Sequence, residues 1–204
     1  SIVQKFGAIQ GVTTTLTPVT TSGTYPTPIA PIALELVSSS ANDTSGGTGA
    51  ITVTIEGISN TNGVWTEEVQ TVTMNGTTAV AVPNSMLRVY RMYVASSGSY
   101  ASATTPSHNS TITLRVSGGG ATWQTLISNG TFGLAQSEIA VYTIPKGYTG
   151  YFLSKNVAIE GAKSANVFLF VRDNADDVTT PFSPMRVKEL ERVLDVSTAK
   201  QPTA

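Results

Sequence analysis

The side chains that could do chemistry begin with a single histidine, His108, in a chain of 204 residues without cysteine. A Ser–His–Asp arrangement needs a histidine base within hydrogen-bond reach of an activated serine, and an acid that orients the ring. Serines flank His108, but in a serine-rich chain they carry little information, and no Gly-x-Ser-x-Gly turn is present. The lack of cysteine excludes disulfides, thiol chemistry and cysteine-based zinc sites. We therefore expect His108 to lie in a surface loop without a catalytic role.

Paired carboxylates could hydrolyse a glycosidic bond if they stood about 5 to 9 Å apart. Glu67 and Glu68 are adjacent, however, and neighbouring side chains of a strand point to opposite faces. The remaining carboxylates on predicted strands stand singly, on outward positions: Glu35, Glu56, Glu138 and Glu160. The sequence therefore predicts no catalytic residue and a protein that is not an enzyme.

The acidic run 173–177 could offer oxygen ligands to calcium, but it lacks the glycine and the closing glutamate of an EF-hand loop. Asx-rich turns of this kind are common after strands, and we expect a solvated turn. Asp43 is a weaker calcium candidate still. The glycine-rich stretches 46–49 and 118–120 are not followed by Lys-Ser/Thr and a helix, so they are turns rather than phosphate loops. Neither a metal nor a cofactor is predicted.

Exposed aromatic side chains could stack on a sugar. Most aromatics lie within predicted strands and are assigned to the core or to a sheet face: Trp65, Tyr90, Tyr93, Trp123, Tyr142 and Tyr151. Tyr100 lies in a Ser/Ala loop and Tyr148 in the 145–150 turn. These two are the candidate ligand contacts, for example to a host-surface glycan.

The charge composition limits the partners. Only 12% of residues are charged, against roughly 25% in ordinary globular domains, and the net charge is −1. The scattered basic residues predict no nucleic-acid partner and no membrane surface. No apolar stretch approaches the roughly 20 residues of a membrane helix. Thr, Val, Gly and Asn dominate over the strong helix formers, which favours β-structure.

The first residues, Ser1 to Lys5, do not have the basic start and apolar centre of a signal peptide. We expect Ser1 to follow a removed initiator methionine, as in a cytoplasmic product. A signal peptide cleaved before Ser1 is the alternative, and it stays open.

Residues 1–30 differ from the rest, because Pro18, Pro26 and Pro28 punctuate a stretch of Thr, Val and Ser. Proline cannot donate to a sheet ladder and biases its predecessor toward extended backbone. The segment is predicted to be an extended N-terminal arm that lies along a partner. A disordered terminus is the alternative.

Residues 31–182 alternate strand and turn signals at a spacing of roughly ten residues. Val53 and Ile55 face one way and Thr54 the other, as in a half-buried strand. Asn75-Gly76 predicts a tight hairpin, and a bulge is expected near Glu67-Glu68. The predicted strands are 32–37, 51–56, 65–74, 86–94, 111–117, 123–127, 138–144, 149–157 and 166–172. About nine strands of this kind predict an all-β, antiparallel β-sandwich of jelly-roll-like type.

The segment 183–204 is predicted as a short C-terminal helix followed by a tail. Ser183 could cap the helix with Pro184 at its first position. A last strand through Met185 and Val187 is the alternative.

Three stretches of turn-and-strand pattern stand out: VSSSANDTSGGTGA at 37–50, continued by TVTIEG at 52–57; EVQTVTMNGT at 68–77; and AVYTIPKGYTGY at 140–151. They resemble segments of uncharacterised virion structural proteins of tailed bacteriophages. The resemblance spans roughly residues 30 to 172 and consists of turn-and-strand patterns. It implies a β-sandwich that decorates a capsid, forms a head fibre or belongs to the tail, and no functional residues carry over.

The sequence thus predicts a structural virion protein that is anchored by its terminal segments and assembled in the host cytoplasm. Its expected partners are other virion proteins and further copies of itself, as a homo-oligomer. A carbohydrate- or receptor-binding module and a secreted adhesin or pilin-like subunit are the alternatives.

Overall fold

The computed structural model describes residues 2–22, 25–99, 107–129, 132–133, 135–159, 163–181 and 183–194. Within these ranges the chain is all-β, and its strands pair antiparallel. The strands are β1 (Leu34–Ser38), β2 (Ala50–Thr61), β3 (Val64–Thr73), β4 (Val80–Ala81), β5 (Arg88–Ser97), β6 (Ile112–Val116), β7 (Thr122–Leu126), β8 (Ser128–Asn129), β9 (Phe132–Gly133), β10 (Ser164–Val171) and β11 (Arg186–Leu194). The described residues contain no helix able to cross a membrane.

The chain divides into two compact units, Ser1–Tyr148 and Thr149–Ala204. The boundary falls inside the range 31–182 that the sequence analysis assigns to one domain. The first unit holds a four-stranded sheet in the order β4-β1-β6-β7 and a three-stranded sheet in the order β3-β2-β5, together with the short β8-β9 pair.

The hydrophobic core of the first unit draws on both larger sheets, because each sheet presents its alternate apolar residues to the same cluster. In β2 the residues Val53 and Ile55 are fully buried, but Thr54 between them is also buried (4% exposed), so the strand is not half-buried here as the alternation predicts. The cluster also contains Leu34, Leu36, Val72, Met74, Val89, Met92, Ile112, Leu114, Trp123 and Leu126.

The tight hairpin forms at a different Asn-Gly pair from the one predicted. Asn62 and Gly63 both have positive φ (53° and 80°) and join β2 to β3, as the primed turns of hairpins require. At the predicted site, Gly76 donates its N–H to the carbonyl of Asp43 (2.7 Å). The chain there passes from β3 in one sheet to β4 in the other, so the predicted hairpin at Asn75-Gly76 is wrong.

The bulge predicted near Glu67-Glu68 is also wrong, since the register between β2 and β3 runs without a shift. The irregularities lie on the other side of β2. Glu56 pairs with Arg91 but Gly57 pairs with Val89, which leaves Tyr90 as the extra residue of β5.

Two predicted strands are absent from the described residues. Segment 138–144 makes only an isolated bridge between Ile139 and Thr20, and segment 149–157 has no ladder pairing. In 149–157 the side chains are largely exposed, so no neighbouring sheet covers the apolar ones and alternation alone did not produce a strand.

In the second unit the predicted C-terminal helix is wrong, because residues 186–194 form β11 and pair with β10. Glu189 and Glu191 both contact the Lys155 ammonium, at 2.9 and 3.1 Å. Side chains two residues apart share a face in a strand but not in a helix, and the ladder with β10 supplies the backbone hydrogen bonds that a short helix would have made. The alternative of a last strand agrees with this structure.

The strand β10 carries the uninterrupted apolar run 167–171, which is typical of a strand covered on both faces. It pairs instead with β11 alone, in a two-stranded sheet. Phe168 and Phe170 stack at a centroid distance of 6.0 Å and each keeps 37% of its surface exposed.

Candidate functional site: a socket for the N-terminal segment

A charged and aromatic cluster lies where the irregular pairing of β2 and β5 displaces Tyr90. Glu56 on β2 and Arg91 on β5 are cross-strand partners, and their charged groups are 3.7 Å apart. The Tyr90 hydroxyl donates to Glu67 on β3 (2.7 Å), and the rings of Tyr90 and Tyr142 lie 4.7 Å apart. Burial and the Glu67 carboxylate raise the pKa of Tyr90, so this hydroxyl keeps its proton.

Lys5 of the N-terminal segment reaches into this cluster. Its ammonium donates to the carbonyl of Tyr90 and lies 5.7 Å from the centroid of the Tyr90 ring. Burial lowers the pKa of Lys5 to about 8. Repulsion from Arg91 acts in the same direction, and attraction by Glu56 opposes it. Docking of this lysine therefore carries a desolvation cost.

Phe6 lines an open groove of about 520 Å³ beside the same cluster. The Arg91 guanidinium lies 4.7 Å from the centroid of the Tyr93 ring at this groove. The other lining residues are Val94, Ala135, Gln136 and Glu138. Phe6 keeps 59% of its surface exposed, so its ring forms one wall of the groove and remains largely in water.

The segment that forms the far wall of the groove is fixed to the edge of β5. Val94 donates its N–H to Ala135 (2.7 Å), and Ser137 donates its N–H to Met92 (2.7 Å). The N-terminal segment pairs with the other side of this segment, because the Thr21 N–H donates to the carbonyl of Glu138 (3.1 Å). This is the geometry of strand addition to a sheet edge, made here within one chain.

Gly7 makes the closest approach of the N-terminal segment. A Cβ atom at this position would lie 2.5 Å from the Ala140 nitrogen and 2.7 Å from the Val19 carbonyl oxygen. Any larger residue would have to displace backbone, so glycine is required for the seat. We call residues 5–7 the plug, and we call Glu56, Tyr90, Arg91, Tyr93 and Ala140 the socket.

Residues 8–18 separate the plug from Val19, and the last nine of them, 10–18, are all exposed. Its side-chain hydrogen bonds are local, such as the one from the Thr17 hydroxyl to the Thr15 carbonyl (3.0 Å). Gly11 adopts positive φ (68°). We call 10–18 the hinge. It connects two docked points without a described hydrogen bond to either sheet.

The chain after the hinge is held more firmly. The Tyr25 hydroxyl is 3.1 Å from the Thr143 hydroxyl, and burial raises the pKa of Tyr25 to about 12. The Arg88 guanidinium donates to the carbonyl of Pro28 (2.8 Å). The predicted arm 1–30 is therefore two parts: a lightly held plug with its hinge, and a tightly fixed segment.

Asp43, a weak calcium candidate from the sequence, is fully buried and surrounded by hydrogen-bond donors. Its oxygens accept from the Ser38 hydroxyl (2.6 Å) and from the backbone N–H groups of Ala50 (2.9 Å), Asn109 (2.7 Å) and Ser110 (3.2 Å). This arrangement, the Asp43 hub, ties three segments of the first unit together.

His108 is fully buried beside the hub, so its predicted position in a surface loop is wrong. Its Nδ1 lies 3.1 Å from the Ser107 hydroxyl and its Nε2 lies 3.2 Å from the carbonyl of Ile127. Because Nε2 faces an acceptor, that nitrogen carries the proton. Burial lowers the pKa of His108, which keeps the ring neutral. The ring thus joins its own loop to the carbonyl of Ile127.

Of the two predicted ligand contacts, Tyr148 follows a turn in which its N–H donates to Pro145 (3.2 Å), and 76% of its surface is exposed. Tyr100 lies outside the described residues. The structure thus presents one exposed aromatic from the predicted pair.

The acidic run 173–177 forms a turn in which Asn174 has positive φ (50°). Asp173 pairs with Arg186 (2.6 Å), and Asp177 accepts from the N–H of Thr179 (2.9 Å), which lowers the pKa of Asp177. No group of three or more metal-binding side chains was found among the residues that the structure describes.

The sequence analysis singled out none of the plug residues. Lys5 is an isolated cation at the start of an apolar, proline-containing segment, and that isolation was the available signal. The socket had no such signal, because Glu56, Tyr90 and Arg91 come together only through strand pairing and the irregular register of β5.

Comparisons with known proteins give no match to this chain, whether against family models, curated proteins or solved structures.

Proposed function

We propose that this chain is a non-enzymatic structural subunit, a virion protein of a tailed bacteriophage that decorates or projects from the capsid or tail. The observation that carries the proposal is the exposure of large apolar side chains along extended segments outside the sheets. Many large apolar side chains exposed along extended segments favour a protein whose segments are covered by a partner. In the N-terminal segment the exposed residues are Ile2, Val3, Phe6, Val12, Leu16 and Ile29.

The second unit has the same property. Tyr151, Phe152 and Leu153 follow each other with 83%, 60% and 76% of their surfaces exposed. A two-stranded sheet such as β10-β11 is marginally stable alone, and Phe168, Phe170, Val187 and Leu190 remain exposed on it. Both ends of the chain therefore support anchoring to other virion proteins or to further copies of the same chain.

The two larger sheets of the first unit are proposed to pack face to face as a β-sandwich. The shared core supports this, since buried residues of β1, β6 and β7 join those of β2 and β5 in one cluster. The jelly-roll-like connectivity expected from the sequence stays a prediction. A rigid sandwich with apolar extensions suits a subunit that is held in a lattice by its ends.

The proposal is tested by purifying virions that carry the gene and locating the chain by cryo-electron microscopy and peptide mass spectrometry. Ordered density for this fold at repeated capsid or tail positions is expected. Deletion of residues 1–18 removes the plug and the hinge but keeps the segment from Val19 onward, and it should reduce incorporation at least about tenfold. Tyr148→Ala is the matched control, because it also removes an exposed apolar side chain. Virions that lack the chain altogether would overturn the proposal.

A second candidate function, glycan or receptor binding, is favoured by Tyr148. An exposed aromatic on a compact turn can stack on a sugar ring, and its 76% exposure leaves the ring free to do so. Tyr148→Ala should then lower affinity on a glycan array without changing the melting temperature. Unchanged array binding would reject this role and leave the structural role unaffected.

A further inference from the structure

The plug and the socket belong to one chain in this structure, yet every contact between them could be made equally well between two chains. Lys5 donates to the Tyr90 carbonyl, Phe6 forms one wall of the groove, and Gly7 lies against Ala140. In each case the two contacting segments are connected along the chain through the hinge. Exchange of an identical element between copies keeps such contacts and is a low-cost route to association.

The hinge has the length and the exposure that exchange requires. Nine residues at about 3.4 Å each span roughly 30 Å when extended. The hinge residues Val12 and Leu16 are 57% and 65% exposed while the plug sits on its own chain. A hinge stretched between two copies would bring these apolar side chains against the neighbour's surface and remove them from water.

The plug is held weakly enough to leave. Lys5 is desolvated and repelled by Arg91, and Phe6 stays more than half exposed. Segments with few buried contacts open at low free-energy cost. By contrast, the backbone pairing from Val19 onward stays with its own chain, so exchange moves the plug without unfolding the sheets.

We infer that the socket of one copy binds the plug, residues 5–7, of a second copy when copies of this chain are held side by side. A short linker gives its own plug an effective concentration on the order of millimolar. The dilute chain therefore keeps its plug, whereas neighbours in an assembly compete on equal terms. This inference rests on the proposed function, since it needs an assembly that brings copies together.

The test uses the full chain with p-benzoylphenylalanine in place of Phe6, a photo-reactive aromatic that fits an open groove. Equal amounts of ¹⁴N- and ¹⁵N-labelled chain are mixed in urea, refolded at about 10 μM or about 1 mM, and illuminated. Mass spectrometry then reads the cross-links to residues 135–138. Links between different isotopes should rise from near zero toward half of all such links, because half is the value for complete exchange. The same photo-reactive residue in place of Leu16, in the exposed hinge, is the matched control and should not link to 135–138.

A second measurement uses the unaltered chain, so that the result does not depend on the folding of a variant. Carbodiimide couples a lysine amine to a nearby carboxylate, and the Lys5–Glu56 product is read in the same isotope mixture. Mixed-isotope coupling at 1 mM supports exchange. Same-isotope links alone at both concentrations, or an absence of links between plug and socket, would overturn it. If virions contain the chain but all plug-to-socket links join residues of the same copy, the exchange is rejected and the proposed function still stands.

Discussion

The Asp43 hub and the plug are both polar contacts that join distant parts of the first unit, but they are built in opposite ways. Asp43 is fully buried and accepts four hydrogen bonds from fixed backbone and side-chain donors. Lys5 is a flexible cation whose ammonium has Arg91 as an unfavourable neighbour. The Asp43 contact therefore stabilises the folded state of the first unit, whereas the Lys5 contact holds the plug at a desolvation cost.

Removing the hub carboxylate should have the largest effect. Asp43→Ala removes the acceptor of the buried donors on Ser38 and Ala50, at a cost of at least about 3 kcal/mol in the free energy of unfolding. Urea denaturation followed by tryptophan fluorescence measures the change. Glu68→Ala, which removes an exposed carboxylate bound to Asn84 (2.8 Å), should stay within about 0.5 kcal/mol. Equal effects of the two variants would refute the hub.

His108 makes the hub region sensitive to pH. Its pKa is lower in the folded chain than in the unfolded chain, so the unfolded state binds more protons below the ordinary value of about 6.5. The stabilising contribution is therefore present above that pH and is lost as the pH falls from 7 to 5, by no more than about 1.4 kcal/mol per pH unit. As the only histidine, it can be tested by one variant.

Denaturation curves at pH 7 and pH 5.5 should show that His108→Gln weakens this dependence. Glutamine can still donate toward Ile127 but does not titrate. If the variant keeps the full pH dependence of the unaltered chain, the assignment to His108 is wrong.

Gly7→Ala should release the plug but lower the free energy of unfolding of the first unit by less than about 1 kcal/mol, because Gly7 is not part of the hydrophobic core. The added methyl group would collide with the Ala140 and Val19 backbone. Trypsin should then cut after Lys5 at least about fivefold faster, as followed by mass spectrometry. Thr14→Ala, in the exposed hinge, is the control, and an equal rate in both variants would mean that the plug has no seat.

Lys5→Met should change stability at alkaline pH, with a pH dependence opposite in sense to that of an ordinary surface lysine. The pKa of Lys5 is about 8 in the folded chain and 10.5 in the unfolded chain. Between these two pH values the unfolded chain therefore binds more protons than the folded chain. Stability should therefore rise from pH 8 to 9.5 in the unaltered chain more than in Lys5→Met. Tyr25 and Tyr90 release protons in the unfolded chain only near pH 10, so this window reports the lysine. If plots of stability against pH are parallel for the unaltered chain and Lys5→Met, Lys5 is not desolvated.

The strands with regular alternation were the most predictable part of the fold. The pattern of Val53, Thr54 and Ile55 predicts a strand with Val53 and Ile55 in the core, and β2 has both there, although neighbouring chain buries Thr54 as well. The Asn-Gly dipeptides were not predictable in the same way. Asn62-Gly63 and Asn75-Gly76 carry the same local preference, and only the partners of the flanking strands decide which one closes a hairpin.

The candidate site was less predictable still. Lys5 and Gly7 lie in a segment that the sequence marks only as extended, and their socket is assembled from two strands, β2 and β5, and a later loop. His108 illustrates the same limit, because a polar loop sequence does not reveal that Asp43 and its neighbours fold over the ring. Burial of a polar side chain depends on its partners, and those partners are distant in the chain.

The amino-acid sequence by itself determined the all-β class, the positions of most strands, the absence of cysteine chemistry and the extended character of the N-terminal segment. These features follow from local properties: side-chain branching, the two-residue alternation and the constraints of proline. The tertiary structure decided the rest, namely which strands share a sheet, that residues 186–194 extend as a strand, and that Lys5 finds Tyr90. Those outcomes depend on pairing between residues far apart in the chain. Local sequence preference does not determine such pairs, because the balance between hydrogen bonding and desolvation decides whether they form.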